Sequence, residues 1–231
     1  MLSPRETYDR HLKQLVDQVL LLGSMVEQAI QQSVAALLHR DHAAARQISA
    51  SDQSINEKRY TIENDCVTLI ATQQPMARDV RFLAAILEII TELERIGDYA
   101  KGICKINLLL GDEPVEMSIL YDLERMANQG LRMLHHALTA FVDNDVATAR
   151  ALPAEDDAVD RLYNHIYREL TRQNPAKPSA VDSANHLIWA AHNLERLADR
   201  VTNICERIVY VATGEMKELD TPSEVKIEFE L

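Results

Sequence analysis

Glu94 and Asp98 stand four residues apart, as do Glu195 and Asp199, Asp156 and Asp160, and the mixed pair Asp52 and Asn56. On a helix that spacing puts both members of a pair on one face. The face carrying Glu94 and Asp98 also carries Leu83, Leu87, Ile90 and Leu108, and that of Glu195 and Asp199 carries Ile188, Ala191 and Val209. Asp52 and Asn56 sit beside Ile48 and Cys66, and Asp156 and Asp160 beside Leu152 and Leu170. The acids are therefore expected to point toward a core. Glu88, Glu92, Arg95 and Tyr99, with Arg196, Arg200 and Arg207 in the later segment, fall on the opposite, solvated side.

Two carboxylates about 5 Å apart repel by about 3 kcal/mol at an effective dielectric near 20, and burial adds a desolvation cost. Crowding of this kind needs a bound cation, proton uptake or a nearby basic side chain. Around the first set, Arg59, Lys101 and Lys105 share the stripe; at the corresponding positions of the second stand Tyr163, Thr202 and Glu206. The second set is thus expected to hold metal more tightly. An all-oxygen site suits hard ions such as magnesium, manganese, calcium or iron, and His192, three residues before Glu195, is the nitrogen ligand within reach. The competing reading is that acids at this spacing are solvated or salt-bridged on a helix surface.

The elements that must position these residues repeat. Ser3, Pro4 and Glu6 combine a cap, a proline at the first helical position and a capping-box glutamate, opening a helix that runs to about Leu38. Asp41 caps a second helix, to about Thr72, before Gln73, Gln74 and Pro75 turn the chain. A third runs from about Ala77 to Leu110. Gly111, Asp112, Glu113 and Pro114 then read as a linker.

The plan recurs as a helix from about Val115 to Val142, a helix capped by Asp145 and reaching about Gln173, and a helix capped by Ser179 after the turn at Pro175 to Pro178. Asp41, Ala43, Ala45, Arg46, Ala50 and Asp52 return 104 residues later as Asp145, Ala147, Ala149, Arg150, Ala154 and Asp156. Leu93, Glu94, Arg95 and Asp98 return 101 residues later as Leu194, Glu195, Arg196 and Asp199, as does Cys104 as Cys205. The registers imply an all-α protein of two tandem three-helix bundles made by internal duplication, over 1–111 and 112–214. In residues 215–231, Val225, Ile227, Phe229 and Leu231 alternate with polar residues, giving either one short strand or a disordered tail.

The midpoints of Asp52 to Asn56 and of Glu94 to Asp98 lie equally far from Pro75, so an antiparallel hairpin brings them to one height. The second set is centred likewise between Pro175 and Pro178. Each unit should gather four oxygen-bearing side chains from its last two helices.

Composition narrows the function. Hydrophobic residues make up 47% of the 231 positions, enough for a core, and the net charge of -12 argues against wrapping nucleic acid or lying on an anionic bilayer. The longest apolar run, Phe82 to Ile90, is short and contains Glu88, so no membrane span is expected. Arg5, Glu6, Asp9 and Arg10 occupy the stretch where a secretory signal would be apolar, which predicts a cytoplasmic location. Cys66, Cys104 and Cys205 have no metal-type spacing and read as core residues.

The segments Leu93-Glu94-Arg95-Ile96-Gly97-Asp98 and Leu194-Glu195-Arg196-Leu197-Ala198-Asp199-Arg200-Val201-Thr202-Asn203-Ile204 resemble the paired signatures of the PhoU family of phosphate-transport accessory proteins. The duplicated layout extends the resemblance from about Tyr8 to Gly214. It implies a fold of two tandem three-helix bundles whose acidic motifs hold iron or zinc, magnesium and manganese also being associated with them. The matching positions here are Asp52, Glu94, Asp98, Asp156, Asp160, Glu195 and Asp199. Asn56 departs from that pattern, as does Gly102, where the second copy keeps Asn203.

The resemblance further implies a non-catalytic negative regulator of phosphate uptake and of the phosphate-starvation response. Such a protein links the Pst transporter, an ATP-binding cassette system, to a sensor histidine kinase, and is commonly a homodimer. Two other readings stand beside it: a metal-free helical adaptor whose acids pair with Arg59, Lys101 or partner residues, and a carboxylate-bridged di-iron oxidase. The oxidase class uses a glutamate followed three residues later by histidine, and no glutamate here has that neighbour.

Overall fold

The protein's structure, a computed structural model, describes residues 4–111, 113–172 and 178–219. The first repeat consists of α1 (Pro4–Leu38), α2 (His42–Gln73) and α3 (Ala77–Leu110). The second consists of α4 (Met117–Asp143), α5 (Val146–Ala151), α6 (Asp156–Arg172) and α7 (Pro178–Thr213). No strand occurs among the described residues, and the expected strand around Val225, Ile227, Phe229 and Leu231 lies outside them.

Local chemistry sets the helix ends. Asp41 Oδ1 accepts from the N–H groups of Ala43 at 3.0 Å and Ala44 at 2.9 Å, filling donors that the first turn of α2 leaves open. Asp145 does the same for Ala147 and Thr148, at 3.0 and 3.1 Å, and also accepts from the Thr148 hydroxyl at 2.6 Å. Just before each cap the chain turns through a left-handed residue, Arg40 at φ 56° and Asn144 at φ 52°. Gly111, with φ 53° and ψ −131°, ends α3 in a conformation that a Cβ would oppose.

Three expectations about the elements need correction. The helix predicted from Asp145 to about Gln173 is broken: Pro153 has no N–H to give, and Leu152–Glu155 forms a 3₁₀ turn between α5 and α6. The fourth helix starts at Met117 rather than near Val115. The last begins at Pro178, one residue before its expected cap Ser179.

The duplication persists in the packing. Val19, Leu22, Val26, Ile30, Val34 and Leu37 are buried along α1, and Leu123, Met126, Gly130, Leu134, Leu138 and Phe141, each 104 residues later, are buried along α4. The units share one apolar core that includes side chains of every helix. Phe82 of α3 stacks on Phe141 of α4 with ring centroids 5.3 Å apart. No helix among the described residues is long and apolar enough to cross a membrane. The three cysteines are buried and free, and burial pushes the thiols of Cys66 and Cys205 up to about 12 and that of Cys104 to about 11.

The most extensive packing joins the repeats through α3 and α7. Here a further expectation fails in part: Glu88 and Arg95 are exposed as expected, but Glu92, Tyr99 and Arg200, assigned to the same solvated faces, lie in the seam. Glu92 is 7% exposed, and its Oε2 accepts from Arg200 Nη1 at 3.3 Å and Asn203 Nδ2 at 3.1 Å. Arg200 Nε donates to the Tyr99 hydroxyl at 3.1 Å, and the Arg196 guanidinium lies over the Tyr99 ring, 5.1 Å from its centroid. Tyr99 and Arg200 hold equivalent places in the two repeats and touch each other, so a local two-fold relating α3 to α7 passes through that contact.

The same symmetry accounts for Gly102. The two-fold maps the Glu92–Asn203 pair onto Asn193 and Gly102, and a Cβ on Gly102 would stand 2.9 Å from Asn193 Nδ2. Gly102 leaves room for α7, while its counterpart Asn203 reaches across to Glu92.

Candidate metal centres of the two repeats

Antiparallel pairing of α2 with α3, and of α6 with α7, sets the candidate acids at matching heights, as the hairpin argument requires. In the first repeat the match is direct: Lys101 Nζ of α3 donates to Asp52 Oδ2 of α2 at 2.8 Å. Asn56 Nδ2 donates to the same oxygen at 3.3 Å. Asp52 is 5% exposed, so this lysine answers a charge that water barely reaches. Arg59 pairs with Glu63 at 3.3 Å, and its charge partly offsets that of Glu94.

Glu94 is half-buried and Asp98 exposed, so the turn of α3 that carries them faces the bundle's flank rather than its centre. Burial is the largest influence on both and pushes both carboxyls above their ordinary range. Asp98 reinforces the shift at Glu94, and Asp52 reinforces it at Asp98.

In the second repeat Asp156 opens α6 directly after the 3₁₀ turn, with Asp160 one turn on and both half-buried. From α7, half-buried Glu195 faces them, and Asp199 is exposed. Burial raises the carboxyl of Glu195 above its usual range, and Asp199 and then Asp160 add to the rise. Asp160 is raised as well, by burial and then by Asp157. His192 Nδ1 stands 2.9 Å from Glu195 Oε2, with the imidazole half exposed, at 51%. Thr202, 3% exposed, occupies the position that Lys101 holds in the first repeat.

The acids expected to crowd inside each bundle thus flank it, apart from Asp52, because the seam takes the other faces of α3 and α7. Among the described residues, no three histidine, cysteine, aspartate or glutamate side chains converge closely enough to hold a metal ion. In the first repeat a lysine and an amide already donate to Asp52 Oδ2, so part of the charge among Asp52, Glu94 and Asp98 is answered from within the protein. Asp156, Asp160, Glu195 and Asp199 offer oxygen donors from two adjacent helices at one height, and an ion there requires side-chain rotation.

Sequence reasoning missed the role of Glu92, Tyr99 and Arg200. Its available signal was the apolar content of α3 around nearly its whole circumference, which marks a helix packed on more than one side.

Comparison with known proteins follows the same two units. The model of the PhoU domain matches twice, over residues 19–106 and 123–208. The phosphate-specific transport system accessory protein PhoU homolog of Caulobacter vibrioides is 34% identical over 210 residues, 91% of this chain and 91% of its own. The phosphate-specific transport system accessory protein PhoU of Escherichia coli is 33% identical over 208 residues, 90% of this chain and 86% of its own. The crystal structure of the phosphate transport system regulatory protein PhoU from Streptococcus pneumoniae superposes with a TM-score of 0.84 at 30% identity, covering 91% of this chain and 99% of the other. With both repeats matched in order and the whole helical array superposing, the chain belongs to the PhoU family.

Proposed function

We propose that this protein is an accessory protein of a phosphate-specific transport system, and that it restrains phosphate uptake and the phosphate-starvation response when phosphate is plentiful. It acts in the cytoplasm as a homodimer, between a Pst-type ATP-binding cassette transporter and a phosphate-sensing histidine kinase. The observation that carries this reading is the alignment of both repeats, nearly end to end, with proteins named for that accessory role. The protein is not an enzyme. Its family consists of accessory regulators, and its acids lack the glutamate–histidine spacing of di-iron oxidases. Deleting the gene in its host and reading a phosphate-starvation reporter in rich phosphate tests the role: the reporter should be derepressed, and a silent reporter would sink the proposal.

The second repeat, in this reading, binds a divalent or trivalent metal through Asp156, Asp160, Glu195 and Asp199, with iron, zinc, magnesium and manganese as candidates. Support comes from the carboxyls of Asp160 and Glu195, raised first by burial and then by neighbouring carboxylates, a cost that a bound cation would relieve. Protein purified without chelator should carry metal that is lost in the Glu195→Ala, Asp199→Ala double variant. Equal metal in both would refute the assignment. For the first repeat the Lys101–Asp52 pair favours a metal-free role, so Asp52→Ala should leave metal content unchanged.

A further inference from the structure

The chain carries 36 acidic residues against 24 basic ones, so an anion approaching it meets repulsion except where arginines are concentrated. One such place exists. Arg125 and Arg132 of α4 and Arg161 of α6 line one cleft of about 500 Å³, together with Ala158. Asn128 and Gln129 add polar lining. Asp122 Oδ1 stands 2.8 Å from Arg125 Nη1, and Arg161 partly offsets the charge of Asp160. Arg132 Nη2 donates to the neutral amide oxygen of Gln129, and Gln129 Nε2 in turn donates to Glu155 Oε2 at 3.0 Å.

The duplication supplies a control within the molecule. By the 104-residue register that the burial pattern follows, Leu21, Gln28 and Glu57 stand in the first repeat where Arg125, Arg132 and Arg161 stand in the second. The same scaffold therefore folds with none of the three guanidiniums. Packing does not demand them either, since all three are exposed.

We propose that the α4–α6 cleft of the second repeat is a binding site for a small polyvalent anion bearing phosphate ester or anhydride oxygens. Guanidinium groups present paired N–H donors that match phosphate oxygens bidentately, and three of them around one cleft favour a ligand with several negative charges. The volume falls within the range of small-molecule sites and exceeds what a single orthophosphate fills. Aromatic and long aliphatic anchors, which a protein or peptide interface would use, are absent from the lining apart from Leu162. The cleft lies on the α4-facing side of α6, and Arg161 there is next in the chain to Asp160, whose charge it partly offsets.

Calorimetric titration of the chelator-treated full chain with sodium tripolyphosphate at low ionic strength tests this. Wild type should bind, and the Arg132→Gln, Arg161→Gln double variant should bind at least about tenfold more weakly, equivalent to 1.4 kcal/mol. Arg10→Gln, a charge change on an exposed part of α1, should match wild type. An unchanged melting temperature in the double variant separates lost binding from lost fold. Arg132→Lys, Arg161→Lys, which keeps charge but not the planar fork, should restore only part of the affinity.

Parallel titrations with orthophosphate and with phosphatidylglycerol vesicles distinguish a soluble ligand from a lipid headgroup. Binding to vesicles alone, or to a poly-glutamate peptide in preference to tripolyphosphate, would overturn the assignment. So would no binding of tripolyphosphate at roughly millimolar concentration, or equal losses in the Arg10→Gln and double variants.

Discussion

The two repeats place acids at equivalent positions of equivalent helices and balance them differently. In the first, Lys101 and Asn56 converge on Asp52, and the bundle supplies its own cation. In the second, Asp160 replaces Asn56 and Thr202 replaces Lys101, so negative charge is added where positive charge is removed. The three-segment plan is kept in both, although the second repeat breaks its middle segment at Pro153, just before Asp156. A duplicated scaffold can keep one copy as a self-contained structural unit while the other, on the proposed reading, takes its cation from outside, and the exchanges at Asn56 and Lys101 mark the difference.

The largest expected effect tests the seam that holds the unlike halves together. Arg200→Ala removes the guanidinium from Glu92, whose side chain is 9% exposed, and from the Tyr99 hydroxyl. The expected loss is about 2 to 3 kcal/mol in denaturant unfolding, at the lower end for a broken buried pair because Asn203 still donates to Glu92. A change below about 0.5 kcal/mol would show that the Arg200 contacts contribute little to holding the repeats together.

Exchanging the neutralising residue addresses the comparison itself. Thr202→Lys gives the second repeat the first repeat's lysine and should weaken metal retention at least about tenfold, equivalent to 1.4 kcal/mol, while raising the melting temperature in chelator. Metal measured by elemental analysis at wild-type levels in this variant would break the proposed contrast. The reverse change, Lys101→Thr, leaves Asp52 without its ion pair. It should cost about 1 kcal/mol, tempered by the 49% exposure of the lysine side chain.

The two caps offer a finer comparison. Asp41→Ala and Asp145→Ala should each cost about 1 kcal/mol, and Asp145 slightly more, since it alone also accepts from a threonine hydroxyl. Equal losses within error would assign no net worth to the Thr148 contact. The smallest effect is expected at the cysteines. Cys66, Cys104 and Cys205, buried and with thiols raised to between about 11 and 12, should resist a thiol reagent at neutral pH until the protein unfolds. Rapid labelling of the folded protein at any of them would mean local opening of that repeat.

Which of these features were legible in the sequence follows from the range of the forces behind them. The Asp41 and Asp145 caps bond to N–H groups two and three residues ahead, so their geometry is contained in a few adjacent letters. The duplication, the helix-ending glycine and the matched heights of the acids across each hairpin are likewise set by spacing along one chain segment. Even the contrast between Lys101 and Thr202 is visible, because the repeats supply their own alignment. Pro153 was legible too, yet the periodicity of the surrounding residues concealed the break it makes.

Which face of α3 and α7 is buried was decided by the tertiary structure alone. Both helices are apolar enough to be covered on two sides, and only the docking of one repeat on the other chooses between the side of Glu94 and Asp98 and the side of Glu92 and Tyr99. That choice moved the acids to the flanks and made a buried network of residues assigned to water. The cleft of Arg125, Arg132 and Arg161 arises in the same way, since its members come from helices separated by a turn and a broken segment. Local propensity and hydrogen bonding act between near neighbours in the chain, whereas charges gather and faces bury according to neighbours in space.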